Sequence, residues 1–164
     1  YLKVVVNVDD EIEGELESET KKGYERFYVK TKNKEGETVM TAKYKKVTYR
    51  EYWKENRVHY IAELVLTDRA TSKILSVNSF EFDDEDKAHY INYSNDQLFP
   101  GYWKYQSRDH YSDRPEIAEF KRKELARLRK ASKSVKSPAT MRKGAINYFA
   151  QNSAKHVQTL DLRP

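Results

Sequence analysis

The stretch from Val58 to Phe82, VHYIAELVLTDRATSKILSVNSFEF, constrains the fold of this chain more than any other. Val58, Tyr60, Ala62, Leu64 and Leu66 share one parity, whereas His59, Glu63 and Thr67 take the other. A period of two with one apolar side is the mark of a strand that buries one face. Beyond a turn, Ile74, Phe80 and Phe82 share a parity with Ser76 and Asn78, while Leu75 and Val77 take the other. Between the two runs, Asp68-Arg69-Ala70-Thr71-Ser72 supplies turn-forming side chains without an Asn-Gly or Asp-Gly pair, so the expectation is a five-residue loop. A long antiparallel hairpin therefore stands at the centre of a sheet.

The flanking sequence extends that sheet. Leu2 to Val8, LKVVVNV, is β-branched enough for a strand and apolar enough at Val4, Val5 and Val6 to expect burial on both faces. Asp9 to Thr20 carries seven carboxylates around Ile12 and Leu16. It reads as a solvated edge strand or loop, because alternating carboxylates do not converge as calcium ligands must. Tyr24–Thr31 and Thr38–Tyr49 read as two strands joined by a turn at Asn33 to Gly36, and Arg50–Asn56 as an aromatic linker folded back on the sheet. Asp83-Asp84-Glu85-Asp86 lacks EF-hand spacing and reads as the acidic start of a short helix.

After residue 93 the character changes. Residues 94–113 form a connector rich in Leu98, Phe99, Tyr102, Trp103 and Tyr105, too apolar for a free linker, with Pro100-Gly101 as its turn. Residues 114–164 then read as two helices. The first, with Asp113 as N-cap and Pro115 in the first turn, runs to about Ser132 and carries a thin stripe of Ile117, Phe120, Leu125 and Leu128. The second starts at Ser137-Pro138 and presents Ile146, Phe149, Ser153, Val157 and Leu160 on one face, with Ala145, Ala150 and Ala154 permitting close approach to the sheet. Arg142 and Lys143 sit unfavourably near its positive end, so a counter-charge or ligand is expected there. The resulting class is α+β. It comprises an antiparallel sheet of about six strands in a hairpin meander (1–93), the connector (94–113) and a basic two-helix region (114–164) whose second helix packs on the sheet.

Composition narrows the chemistry. With 38% hydrophobic and 35% charged residues the chain has much surface for its core, which 13 Tyr, 6 Phe and 2 Trp help to fill. The absence of cysteine excludes disulfides, thiolate nucleophiles and cysteine metal sites. No apolar run approaches the roughly 20 residues that span a bilayer, and the start at Tyr1 reads as a processed or excised piece. Walker, GxGxxG, HExxH and GxSxG patterns are absent. His59, His89, His110 and His156 show no metal-ligand spacing; convergence of His59, His89 and Asp109/His110 in space is the one route to a hydrolase or metal centre. No catalytic residue, cofactor or metal is assigned.

Charge carries the positive signal. From Arg114 to Pro164 there are 13 Lys/Arg against 4 Asp/Glu, and from Lys121 to Lys143 ten against Glu124 alone. Lys121, Arg122, Lys123, Arg127, Arg129, Lys130, Arg142 and Lys143 are the expected partner-binding residues, and Trp53, Phe99, Tyr102, Trp103 and Tyr105 the expected aromatic contacts. Leu64 to Val77, LVLTDRATSKILSV, resembles the strand, Asp-x-x-Thr turn and strand of small α/β domains in bacterial envelope lipoproteins; the likeness ends there, Ser72 standing where glycine is expected. It assigns no family, and what it implies is an extracytoplasmic location. The functional expectation is a non-catalytic structural or interaction module of a larger assembly, with a protein partner or self-association. The alternatives are nucleic-acid binding through 121–143 and glycan binding through Trp53, Tyr102 and Trp103.

Overall fold

The computed structural model describes residues 1–103, 111–112 and 117–160. Among these the chain forms six antiparallel strands and two C-terminal helices, an α+β fold. The strands are β1 (Leu2–Glu13), β2 (Glu17–Lys32), β3 (Thr38–Thr67), β4 (Ile74–Asn92), β5 (Leu98–Pro100) and β6 (Tyr111–Ser112). A 3-10 turn at Glu119–Lys121 leads into α1 (Arg122–Lys130), and α2 spans Pro138–Thr159.

Two expectations fall to the length of β3 and β4. Arg50–Asn56 is no linker: β3 runs unbroken through it, paired with β2 from Thr38 to Trp53 and with β1 from Asn56 to Leu66. The acidic run starts no helix either. Asp84 and Asp86 fall on the partly buried parity of β4, while Asp83 and Glu85 fall on the exposed one, so the run alternates as a strand must. Asp86 accepts the Lys136 backbone N–H at 2.7 Å, and Asp84 receives Lys136 Nζ at 3.3 Å. These carboxylates anchor the approach to α2 instead of a helix dipole.

The chain divides into two compact units that cut across the chain-order divisions at 93 and 113. One comprises Tyr1–Glu15, Glu55–Lys87 and Ser134–Pro164, the other Leu16–Lys54 and Ala88–Lys133. In the first, Val58, Tyr60 and Ala62 of β3 pack on Met141, Ala145 and Phe149 of α2, closed by Phe80 and Phe82 of β4. The parity foreseen in the central hairpin is the one buried. On α2, Phe149 and Ser153 of the expected face are buried, but Met141 and Ala145 complete that face and Ile146 is 56% exposed. Met141 and the small Ala145, one turn apart, let the helix lie closer to the sheet than the branched Ile146 would. Ser137 caps the helix as expected, its Oγ accepting from Thr140 N–H at 3.3 Å.

β1 also departs from expectation. Val4 and Val6 are 42% and 45% exposed, because β3 pairs with β1 on one side and nothing among the described residues pairs with the other. In the second unit, Ile91, Leu98, Leu125 and Leu128 make the core with Val47, Tyr49 and Tyr93. The stripe expected on the first helix survives at Leu125 and Leu128, whereas Phe120 is 78% exposed and Asp113 and Pro115 lie outside the described residues.

Candidate functional site

The second unit holds a cleft of about 580 Å³ built where β5 leaves the sheet. β5 lies against β2 with Gly23 opposite Pro100. A Cβ on Gly23 would stand 2.7 Å from the Phe99 carbonyl oxygen, so glycine is what admits so close an approach. Leaving β5, the chain reaches Tyr102 and Trp103, and three hydrogen bonds from β2 fasten it. Tyr24 OH donates to the Tyr102 carbonyl at 3.0 Å, Lys22 Nζ to the Trp103 carbonyl at 2.9 Å, and Trp103 Nε1–H donates to the Gly23 carbonyl at 3.1 Å. The opposite wall comes from Ala118, whose N–H donates to the Pro100 carbonyl at 3.0 Å and so positions Lys121.

The cleft joins cations to rings. Lys22 Nζ lies 4.8 Å from the centre of the Trp103 ring, and Lys121 Nζ lies 6.0 Å from that of Tyr102, distances at which the ring face attracts a cation. Lys21 is already committed, with Glu19 at 2.5 Å and Glu51 at 3.8 Å, and the Glu19 hydrogen bond raises its pKa. Lys22 and Lys121 make no ion pair among the described residues that would spend their charge. Tyr49 lines the floor, and burial, then Glu51 and Glu124, push its phenol up to about 12. It therefore stays a neutral hydroxyl at any physiological pH. Among the described residues that line it, the arrangement is equipped to hold a ligand with negative charge and a flat or apolar body.

The expected site residues scatter more widely. Lys121 reaches the cleft, while Arg122, Lys123, Arg127, Arg129 and Lys130 ride on α1, where Lys123, Arg127 and Lys130 share an exposed face at spacings of four and three. Arg122 packs its guanidinium 4.5 Å from the Phe99 ring, which Arg26 faces at 4.9 Å. Phe99 is thus buried at 3% exposure between two cations, a core residue and not an exposed contact. Trp53 donates Nε1–H to Glu17 at 2.8 Å and does not line the cleft. Tyr105 lies outside the described residues.

Arg142 and Lys143 belong to the other unit and stand on α2. Arg142 has the counter-charge its position called for: Glu11 of β1 accepts from it at 2.6 and 2.9 Å while also accepting from Tyr60 OH at 2.8 Å. Lys143 remains exposed.

Each described histidine has its own partners. His59 places Nδ1 2.6 Å from Asp83 and Nε2 3.6 Å from Asp9, and the Asp83 hydrogen bond raises its pKa. Asp83 thus holds Nδ1, while Asp9 lies beyond hydrogen-bond reach of Nε2. His89, in the other unit, meets Glu51 at 2.5 Å. His156 contacts Ser76 and Asn78 at 3.0 and 3.2 Å, and Asp109 and His110 lie outside the described residues. Among the described residues no group of three acidic or imidazole side chains is placed to hold a metal ion.

Lys22, Tyr49 and Gly23 are the site residues that sequence reasoning passes over. Gly23 carried a signal, an isolated glycine inside a strand pattern, which marks a close backbone approach. Lys22 and Tyr49 carried none, since they join the cleft only through strand register. Comparison with protein-family models, with curated proteins and with solved structures finds no match to this chain.

Proposed function

We propose that this chain is a non-catalytic interaction module of a larger, extracytoplasmic assembly, and that it grips an acidic segment of a protein partner in the cleft between Trp103 and Lys121. One observation carries the proposal: Lys22 and Lys121, free of ion pairs among the described residues, flank Tyr102 and Trp103, whose two carbonyls and one indole N–H are tied to β2 by three hydrogen bonds. Pre-tied aromatic walls lose little entropy on binding, and discrete cations suit discrete carboxylates. Glu19 and Glu51 beside Lys21 count against a continuous phosphate backbone, which would meet negative charge there. The location rests on the lipoprotein-like hairpin at Leu64–Val77.

A second function, nucleic-acid binding, is favoured by the Lys123, Arg127 and Lys130 face of α1. Fluorescence anisotropy separates the two. A labelled Asp/Glu-rich peptide containing one Trp should bind, and Lys22→Gln with Lys121→Gln should weaken it about tenfold or more, since hydrogen bonds to charged groups contribute about 1.5–3 kcal/mol each. Single-stranded and duplex nucleic acid should not bind at about 50 mM salt. Tight nucleic-acid binding that falls steeply by about 200 mM, and is lost in the Lys123→Gln, Arg127→Gln, Lys130→Gln variant, would replace the first function by the second. Trp103 fluorescence that responds to a glycan panel but not to the peptide would favour carbohydrate instead.

A further inference from the structure

The edge of β1 turned away from β3, with which nothing among the described residues pairs, presents a self-complementary strand. Tyr1 and Thr67 exchange both backbone hydrogen bonds, Tyr1 N to Thr67 O at 2.6 Å and Thr67 N to Tyr1 O at 2.8 Å. By strand alternation the odd residues of β1 then face β3, and Leu2, Val4, Val6 and Val8 aim their N–H and C=O groups at the unpaired edge. Their side chains stand beside the buried Leu66, Leu64, Ala62 and Tyr60 of β3, to which they are paired, yet remain 42–60% exposed. On α2, Ile146, also exposed, lies one turn beyond Arg142, whose guanidinium reaches Glu11 of β1. Natural sheets blunt such edges with short strands, prolines, charges or bulges. Between Leu2 and Val8 this one has a single Lys3, and its bulge comes only at Asp9.

We propose that the occupant of this edge is a second copy of the chain, its β1 paired antiparallel about a two-fold axis at Val5. That register sets Leu2 against Val8 of the other copy and Val4 against Val6. Every edge-facing N–H and C=O from Leu2 to Val8 then finds a partner, all before the bulge interrupts regular pairing. The apolar faces of both copies fall on one side of the joined sheet, because residues of like parity are paired. Charge agrees with the pattern. β1 is basic at Lys3 and acidic from Asp9 onward, so antiparallel pairing brings Lys3 diagonally across from Asp9 of the second copy, whereas parallel pairing stacks like charges. The surface is separate from the cleft of the second unit and stands or falls independently of it.

The absence of cysteine supplies the test. At the axis Val5 meets Val5 as a non-hydrogen-bonded pair, with Cα atoms about 4.5 Å apart. That lies within the range of about 4.4–6.8 Å that a disulfide takes. Mild oxidation of the full chain carrying Val5→Cys should give a covalent dimer, whereas Val6→Cys, whose two copies sit diagonally, about 7–8 Å apart or more, should not cross-link. Light scattering of the unmodified chain from about 1 to 100 µM should show a dimer whose share grows with concentration. Val6→Lys should abolish it with the circular dichroism of the monomer unchanged. A monomer throughout with no Val5→Cys cross-link overturns the proposal. So does a dimer that cross-links through Val6→Cys, or one that survives Val6→Lys.

Discussion

At the scale of single residues, the informative groups are those whose partners lie far away in sequence. Glu11 is held by Arg142 and Tyr60, and the hydrogen bond from Arg142, then that from Tyr60, lowers its pKa from the ordinary 4.5. A carboxyl with a depressed folded pKa contributes stability that is complete above its unfolded value and is lost as pH falls through the folded one. Thermal melts between about pH 5 and pH 3 should therefore show a steeper acid loss for the unaltered chain than for Glu11→Gln. Equal slopes would mean the Arg142 contact is absent in solution. His59 works the other way. Its pKa is raised, first by Asp83, so the contribution of that pair is present below about pH 6.5 and fades as pH rises through the higher folded value. The sequence shows Glu11 and Arg142 as two charges in crowded charged runs; nothing in either run says they meet, because the contact spans 131 positions.

At the scale of elements, α2 separates what periodicity can tell from what it cannot. That a helix begins at Pro138 and packs on strands was legible from Ser137-Pro138 and from the recurrence of apolar residues. Where the packed face is centred was only partly legible. Phe149 and Ser153 of the expected face are buried, but Met141 and Ala145 complete it in place of Ile146, which lies about 100° round the helix from Ala145. The sheet leaves Phe149 2% and Ile146 56% exposed. Phe149→Ala should accordingly cost about 3–5 kcal/mol in denaturant unfolding. Ile146→Ala, measured at a concentration where the chain is monomeric, should stay within about 0.5 kcal/mol. Comparable losses would put Ile146 among the packed residues. The strands repeat the lesson. Asp83 to Asp86 show no alternation in sequence, and a helix start and a strand both accommodate four acidic residues. Only the Lys136 backbone and ammonium, waiting on one side, decide for the strand.

At the scale of the whole molecule, pairing between distant segments dominates. β1 meets β3 with Leu2 against Leu66, and each compact unit is assembled from separate stretches of chain. Closing such loops costs entropy before the contacts return it, which slows folding. Stopped-flow refolding should consequently fall in the range of about milliseconds to seconds. Completion within microseconds would show that local structure, not strand pairing, governs the search. The α+β class, the central hairpin and the cap of α2 were determined by the sequence itself, since parity, turn residues and capping act over a few neighbouring positions. The length of β3 and β4, the buried side of α2, the exposed edge of β1 and the meeting of Lys22, Trp103 and Lys121 were decided only by tertiary structure. Each depends on how segments far apart in the chain meet, and in the strands a shift of one residue would turn every side chain to the opposite face.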